Sequence, residues 1–302
     1  MNSTMNLGFI GLGQMGAPMA ERLLGPGITL HIHDPSPTSM AALVAKGAVG
    51  HESPRAVADY AAIVFACLPS QDISTQAALG DHGVIGGKSI RLYVEMSTIG
   101  KQCIETIADR LATRSIATVD GPISGGPPAA REGRLAMMAS GAPAALAQAR
   151  PWLSRIGAKV YELGDKPGQA QIMKLVNNLV MAANMVVASE GLVMGAKAGL
   201  DPDLMMEVLN AGTGRSAASA DIISRSALPG TFDFGARLSI VKKDVELGVN
   251  EAMLLDVPVP VIESAGKMWK KAAEDGLRDD DFTTIIKLVE KHGGATVRSR
   301  TR

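Results

Sequence analysis

Residues 6–24 read NLGFIGLGQMGAPMAERLL, and the order of residue types in this stretch decides the fold of the first half of the chain. A short apolar run, Asn6 to Ile10, stops at Gly11-Leu12-Gly13-Gln14-Met15-Gly16, and Ala17 to Leu24 then carries apolar residues at helical period. Strand, glycine turn and helix in that order are the setting in which a Gly-x-Gly-x-x-Gly element binds a dinucleotide. Gly11 would permit the tight turn, Gly13 would let the backbone approach a pyrophosphate, and Gly16 would let the helix pack close to the strand. The phosphates would sit against the helix N-terminus, where free amides and the macrodipole favour anions. The whole turn, Gly11, Leu12, Gly13, Gln14, Met15 and Gly16, is therefore the expected cofactor loop.

Working outward, Thr29 to His33 reads as the second strand, and Asp34 follows it at the distance where an acid accepts hydrogen bonds from the adenine ribose. A carboxylate there would repel a 2′-phosphate, which predicts NAD rather than NADP; the alternative is a turn-forming Asp before Pro35. Further strands are expected at Ala61–Leu68, Ser89–Met96, from Thr118-Val119, at Leu135–Ala139 and at Lys159–Leu163. Helices are expected at Met40–Lys46, within Ser70–Leu79, and at Lys101–Arg114 and Pro143–Ile156. Such alternation implies a Rossmann-type, doubly wound parallel sheet with helices on both faces. Ligands of these sheets bind at the carboxyl ends of the strands, which makes Leu68, Pro69 and Thr98 candidates to line a cofactor cleft. In Asp120-Gly121-Pro122-Ile123-Ser124-Gly125-Gly126-Pro127-Pro128, a hydroxyl beside two glycines offers a cradle for a carboxylate. The alternative is a loop with unusual backbone angles, followed by prolines that stop a helix.

Turn residues at Gly164–Gly168 mark the expected boundary between a dinucleotide-binding domain, residues 1–164, and an all-helical domain, residues 165–302. The second domain opens with Gly168–Gly195, a long interdomain helix without internal proline. Helical geometry puts Lys174 and Asn178 on one face, one turn apart. An amine and an amide in a largely apolar helix are costly to bury without partners, which suggests function; the alternative is a lysine that snorkels to solvent. Later helices are expected at Pro202–Asn210, Ala217–Leu228, Leu238–Leu255, Pro260–Asp275 and Phe282–His292, and Arg298–Arg302 as a frayed tail.

Thirty basic and thirty acidic residues cancel, so charge gives no reason to expect nucleic acid or an anionic membrane as partner. The chain is 46% hydrophobic, 3% aromatic and contains 16 Met, which suggests helix-rich cores filled by flexible side chains. Cys67 and Cys103 fit no metal or redox spacing, and no metal site is expected. The N-terminus shows no export signal, so a cytoplasmic setting is the expectation. The most apolar longer window, Leu175–Ala188, is too short and too polar to span a bilayer. Apolar faces on an all-helical second domain suggest a homodimer or homotetramer.

Four motifs in order, FIGLGQMGAPMA (Phe9–Ala20), DGPISGG (Asp120–Gly126), KLVNN (Lys174–Asn178) and VKKDVELG (Val241–Gly248), resemble those of the β-hydroxyacid dehydrogenase family, which includes 3-hydroxyisobutyrate dehydrogenase. The resemblance implies that Lys174 is the general acid/base and that Asn178 orients it and the substrate. It implies that Ser124, Gly125 and Gly126 bind the substrate's carboxylate and hydroxyl region, with Ser124 counted among the catalytic residues. Lys243 would reach into the cleft near the cofactor, supported by Asp244, and Thr98 and Leu68-Pro69 match cofactor-contacting positions. Gly121 and Arg134 depart from the family's usual residues and leave the substrate open. Asp34 differs from the Asn-Arg-Ser/Thr pattern of NADP-using relatives.

The expected activity is thus NAD-dependent interconversion of a small β-hydroxyacid and its semialdehyde or keto acid. Partial burial and the positive nicotinamide ring would bring the Lys174 pKa down from about 10.4 toward the working range. Imine reduction is an alternative within the same class, and a non-catalytic dinucleotide-binding scaffold is one from another. Arg215 and Arg237 could meet a second acidic group of the substrate or be surface charges.

Overall fold

The computed structural model describes residues 4–299. The chain divides into two compact units, Met1–Lys174 and Leu175–Arg302.

In the first unit, strands β1 (Met5–Ile10), β2 (Ile28–His33), β3 (Val49–Gly50), β4 (Ile63–Ala66), β5 (Leu92–Glu95) and β6 (Ala117–Asp120) lie in the spatial order β3-β2-β1-β4-β5-β6, all parallel. This is the doubly wound order, whose switch point falls between β1 and β4. Side chains alternate across the sheet, so Ile63 and Phe65 enter one core and Val64 and Ala66 the other. The first core holds residues of α1 (Gly16–Leu23), α2 (Pro37–Val44) and α7 (Pro143–Ile156); the second holds residues of α3 (Pro54–Ala58), α4 (Gln71–Leu79) and α5 (Lys101–Ala112). A strand covered on both faces must be apolar throughout, which is why Ile63–Ala66 reads IVFA.

Beyond β6 the expectation of a wholly parallel sheet fails. A two-residue strand, β7 (Ile123–Ser124), and α6 (Gly126–Glu132) lead into β8 (Leu135–Ser140), which runs antiparallel to β6 and β7 and parallel to β9 (Gly157–Gly164). β6 and β7 pair with β8 in one register, as a single interrupted strand, and the chain turns back after β7 through the short α6. Pro127 and Pro128 do not stop a helix: they occupy the first turn of α6, where a missing N–H costs nothing.

β6 and β8 meet at one pair, Asp120 and Ser140, and there the Ser140 hydroxyl donates to Asp120 Oδ1. The same carboxylate receives the N–H groups of Gly168 (3.1 Å) and Gln171 (2.9 Å), and Ser140 Oγ receives that of Ala170 (2.9 Å). These are N-terminal amides of α8 (Gln169–Lys197), groups that have no partner inside the helix. The first turn of α8 therefore belongs with the compact sheet unit, which runs through Lys174.

The second unit contains the rest of α8, α9 (Pro202–Ala211), a π-helical segment Ala218–Ala227, α10 (Leu238–Leu254), α11 (Pro260–Ala272) and α12 (Ile285–Gly293). Trp269 is fully buried in its core and donates from Nε1 to Ala182 O of α8 at 3.2 Å. α10 packs against α8 at Gly248, where a Cβ would meet Leu179 Cδ1 at 2.6 Å. α8 is 29 residues long and, by length and composition alone, apolar enough to cross a membrane, unlike the shorter window read from sequence; 44% of its most apolar window is buried inside the protein. The expected tail is docked where it is described: Arg298 pairs with Glu290 (2.6 Å) and the Ser299 N–H donates to Leu228 O (2.8 Å), while residues 300–302 lie outside the described chain.

Burial pushes the Asp120 carboxyl up to about 6 from 3.8, against the opposing hydrogen bonds from Ser140, Gln171 and Gly168. The folded protein thus holds this proton more tightly than the unfolded chain, so the contribution is fully favourable below pH about 4 and is lost as pH rises through about 6. Asp120→Asn is expected to gain on the wild type by about 3 kcal/mol in urea unfolding between pH 4 and pH 7.5, two pKa units at about 1.4 kcal/mol each. An unchanged difference between the two proteins across that range would contradict the assignment.

Candidate active site

The carboxyl ends of β2, β1, β4 and β5 bring the expected cofactor loop together with Asp34, Leu68 and the Ser97-Thr98 segment. Gly11 N–H donates to His33 O (3.0 Å), Leu12 N–H to Asp34 Oδ2 (2.7 Å), Cys67 N–H to Ile10 O (2.9 Å) and Leu68 N–H to Ser97 Oγ (2.7 Å). The three loop glycines differ in what faces them. A Cβ on Gly16 would lie 1.8 Å from Gly11 O and one on Gly11 2.3 Å from Cys67 O, whereas one on Gly13 would meet nothing within 4 Å. Gly11, with φ of 88°, is also in the left-handed region that favours glycine. Gly13 and Gln14 are exposed, and Met15 at the start of α1 provides no side-chain cap. Open space beside Gly13 and an uncapped helix start fit a pyrophosphate, so this loop suits a dinucleotide.

Asp34 forms the turn that one of its two readings expected, and it also touches the cofactor loop. Oδ1 accepts the Ser36 N–H at 2.8 Å, forming the turn, while Oδ2 reaches back to the cofactor loop. Leu68 and Thr98 are half-buried and Pro69 is exposed, all at strand ends as expected. Ser124 closes β7, paired with Ala136, and is followed by Gly125 and Gly126 with φ of 137° and 73°. Both angles suit glycine, and Ser124, Gly125 and Gly126 all retain exposure, as a carboxylate cradle requires.

Lys174 is half-buried, in the turn of α8 that follows the anchored one. Asn178 lies one turn further along the same uninterrupted helix, in the second unit, where its neighbours are set by α10. Asn178 Nδ2 donates to Asp244 Oδ2 at 2.6 Å, and Asn177 Nδ2 donates to Asn178 Oδ1 at 3.0 Å. Lys243 Nζ lies 2.9 Å from Asp244 Oδ1, so one buried carboxylate holds both an amide and an amine of the expected site. The charge that Asp244 buries is thereby paired, which is what makes its burial tolerable. Arg215 is exposed, and Arg237 is exposed with Asp279 at 3.8 Å. Arg134 is exposed and pairs with Glu132.

Three groups went unassigned in the sequence. Glu95, fully buried at the end of β5, accepts from Tyr93 Oη (2.8 Å) and from the Ser97 N–H (2.9 Å), and burial pushes its carboxyl up. Asp120 stood inside the DGPISGG motif without a role. Gln171 is fully buried: its Oε1 accepts from Ile99 N–H (3.0 Å) and Gly100 N–H (3.1 Å), and its Nε2 donates to Ser97 O (3.0 Å). Among the described residues no cluster of His, Cys, Asp and Glu suits a metal ion.

Comparison with known proteins identifies the family. Residues 6–164 match the model of the NAD binding domain of 6-phosphogluconate dehydrogenase, and residues 168–289 match that of NADP-dependent 3-hydroxyisobutyrate dehydrogenase. A 2-(hydroxymethyl)glutarate dehydrogenase of Eubacterium barkeri is 34% identical over 298 residues, covering 98% of this chain and 99% of that protein. A 3-hydroxyisobutyrate dehydrogenase of Pseudomonas aeruginosa is 29% identical, covering 94% and 98%. Of the solved structures, a 3-hydroxyisobutyrate dehydrogenase from Salmonella typhimurium superposes with a TM-score of 0.84 at 28% identity, covering 94% of this chain and 99% of that one. A protein named Psf3, in complex with NADP+ and 2-OPP, does so with the same score and coverage at 28% identity. A Streptomyces aurantiacus imine reductase shares the fold, with a TM-score of 0.61 at 23% identity and coverage of 94% and 99%. The chain belongs to the 3-hydroxyisobutyrate dehydrogenase family and is an NAD(P)-dependent oxidoreductase of hydroxyacids.

Proposed function

We propose that the chain reversibly oxidises a small β-hydroxyacid of the 3-hydroxyisobutyrate type with NAD as cofactor, Lys174 exchanging the proton of the reacting hydroxyl. The observation that carries this reading is the anchoring of the first turn of α8 to Asp120 and to the segment Ser97–Gly100, which ties the helix turn preceding Lys174 to the carboxyl end of β5. The bound nicotinamide would supply the hydride acceptor in oxidation and the donor in reduction. Ser124 with the amides of Gly125 and Gly126 holds the substrate carboxylate, and Lys174 accepts the hydroxyl proton and returns it in the reverse direction. Asn178 aligns the reacting oxygen, its own orientation fixed by Asp244. Imine reduction is disfavoured by the lysine at position 174, which that chemistry does not require.

Lys174→Ala is expected to lower kcat by about 10²- to 10⁴-fold, the range for a general acid/base, with little change in NADH binding measured by fluorescence. The substrate panel is 3-hydroxyisobutyrate, 2-(hydroxymethyl)glutarate, 2-hydroxy-3-oxopropionate and a cyclic imine. Retained turnover in the variant, or turnover of the imine alone by the wild type, would refute the reading.

Support for NAD comes from Asp34, whose carboxylate at the cofactor loop would repel a 2′-phosphate. Steady-state KM values should favour NAD, and Asp34→Ser should move the preference toward NADP by about tenfold or more, the factor carried by 1.4 kcal/mol of relieved repulsion. A wild type that prefers NADP would overturn this choice.

A homo-oligomer, dimeric or tetrameric, is supported by the exposed side of α8 in the second unit. Val180, Val187 and Met194 recur at seven-residue intervals and are 54, 60 and 73% exposed, beside an apolar groove of about 530 Å³ lined in part by Leu204 and Val208. Light scattering should give a multiple of 31.4 kDa that Val187→Lys reduces; a monomeric wild type at micromolar concentration would contradict it.

A further inference from the structure

We propose that Gln171 is a positioning residue for the proton transfer: it fixes where Lys174 stands relative to the cofactor-side segment Ser97–Gly100. The inference rests on the role given to Lys174 above. Gln171 is fully buried and every polar atom of its side chain is engaged with that segment: Oε1 accepts two amides, from Ile99 and Gly100, and Nε2 donates to the Ser97 carbonyl. Its own backbone N–H is held by Asp120 at 2.9 Å. Both ends of the residue are thus fixed, the backbone to β6 and the side chain to the loop after β5. Lys174 follows three residues later, on the neighbouring position of the same helix face.

The segment that Gln171 grips is itself tied to the cofactor loop's surroundings. Ser97 Oγ receives the Leu68 N–H, and the Ser97 N–H is held by buried Glu95. A displacement of Ser97–Gly100 therefore has to move Leu68, Thr98 and Gln171 together. The Ala170 N–H of this turn is held by Ser140 Oγ, a bond that anchors the helix without reaching Ser97–Gly100. Gln171 joins the helix to that segment by side-chain hydrogen bonds.

The geometry asks for an amide of this length. Asn is one methylene short of the three contacts. Met fills the volume without any of them, and Glu keeps the acceptor while setting a carboxylate oxygen against the Ser97 carbonyl. A carboxylate one turn from Lys174 would also favour the ammonium form and displace the pH dependence of oxidation to higher pH.

The test compares Gln171→Met, Gln171→Asn and Gln171→Glu with Ser140→Ala, which loosens the same helix turn but leaves the Ser97–Gly100 contacts in place, and with Lys174→Ala. The substrate is whichever hydroxyacid of the panel the wild type turns over fastest. Readouts are kcat, the primary deuterium isotope effect, the kcat pH profile, NADH affinity and the thermal midpoint. Gln171→Met and Gln171→Asn should lower kcat by about 10²-fold, the loss expected from a reacting group displaced by about 1 Å, with a larger isotope effect and NADH affinity close to the wild type. Gln171→Glu should shift the pH profile upward. Ser140→Ala should lose stability with a much smaller loss of kcat than Gln171→Met at an equal drop in thermal midpoint. Wild-type kcat in Gln171→Met, or an equal kcat loss in Ser140→Ala at an equal drop in thermal midpoint, overturns the positioning role while leaving Lys174 in its own. Turnover by Lys174→Ala, or none by the wild type on the panel, overturns the catalytic reading and the positioning role with it.

Discussion

A single buried carboxylate, that of Asp120, holds the start of the longest helix to the sheet. Its two oxygens take a hydroxyl from β8 and two amides from the N-terminus of α8, so the point where the sheet reverses direction is also the point where the helix is seated. The helix dipole and the unpaired amides favour a negative charge there, and burial disfavours it. Burial prevails, and the proton is held more tightly than an exposed aspartate would hold it. From this seat the next turn of α8 inherits its place, Gln171 first and Lys174 after it.

A second buried acid organises the other unit in the same manner. Asp244 sits on α10 between Asn178 of α8 and its own neighbour Lys243, accepting from the amide at 2.6 Å and lying 2.9 Å from the amine. Gly248, one turn along α10, lets that helix approach Leu179 closely enough for the contact to form. The VKKDVELG motif is thus as much a packing device as a chemical one.

Much of the architecture was legible because it follows from period and turn chemistry. Apolar Ile63–Ala66 had to be a strand covered on both sides, and the Gly11–Gly16 turn could only join a strand to a helix as it does. What escaped were effects of tertiary context. Pro127 and Pro128 look like a helix stop, but whether a proline ends or begins a helix depends on where the preceding strand delivers the chain. The short α3 has too few residues to display a period. Asp120 and Gln171 are separated by 51 positions, Gln171 and Ile99 by 72, and a buried Gln has no signature beyond its partners. The candidates Lys174, Asn178, Ser124 and the cofactor loop could be proposed from local spacing and motif order, whereas the groups that hold them in place carry their information in the fold.

The seating of α8 also bears on how the nucleotide-binding half could be prepared by itself. A fragment cut at the turn after β9 would retain Asp120 and Ser140 yet discard Gly168, Ala170 and Gln171, stranding an acid in an apolar floor and exposing the underside of the Ser97–Gly100 segment. Such a fragment should be prone to swelling and self-association at neutral pH. An autonomous version has to run on through Lys174, borrowing one and a half turns from what looks in sequence like the next domain.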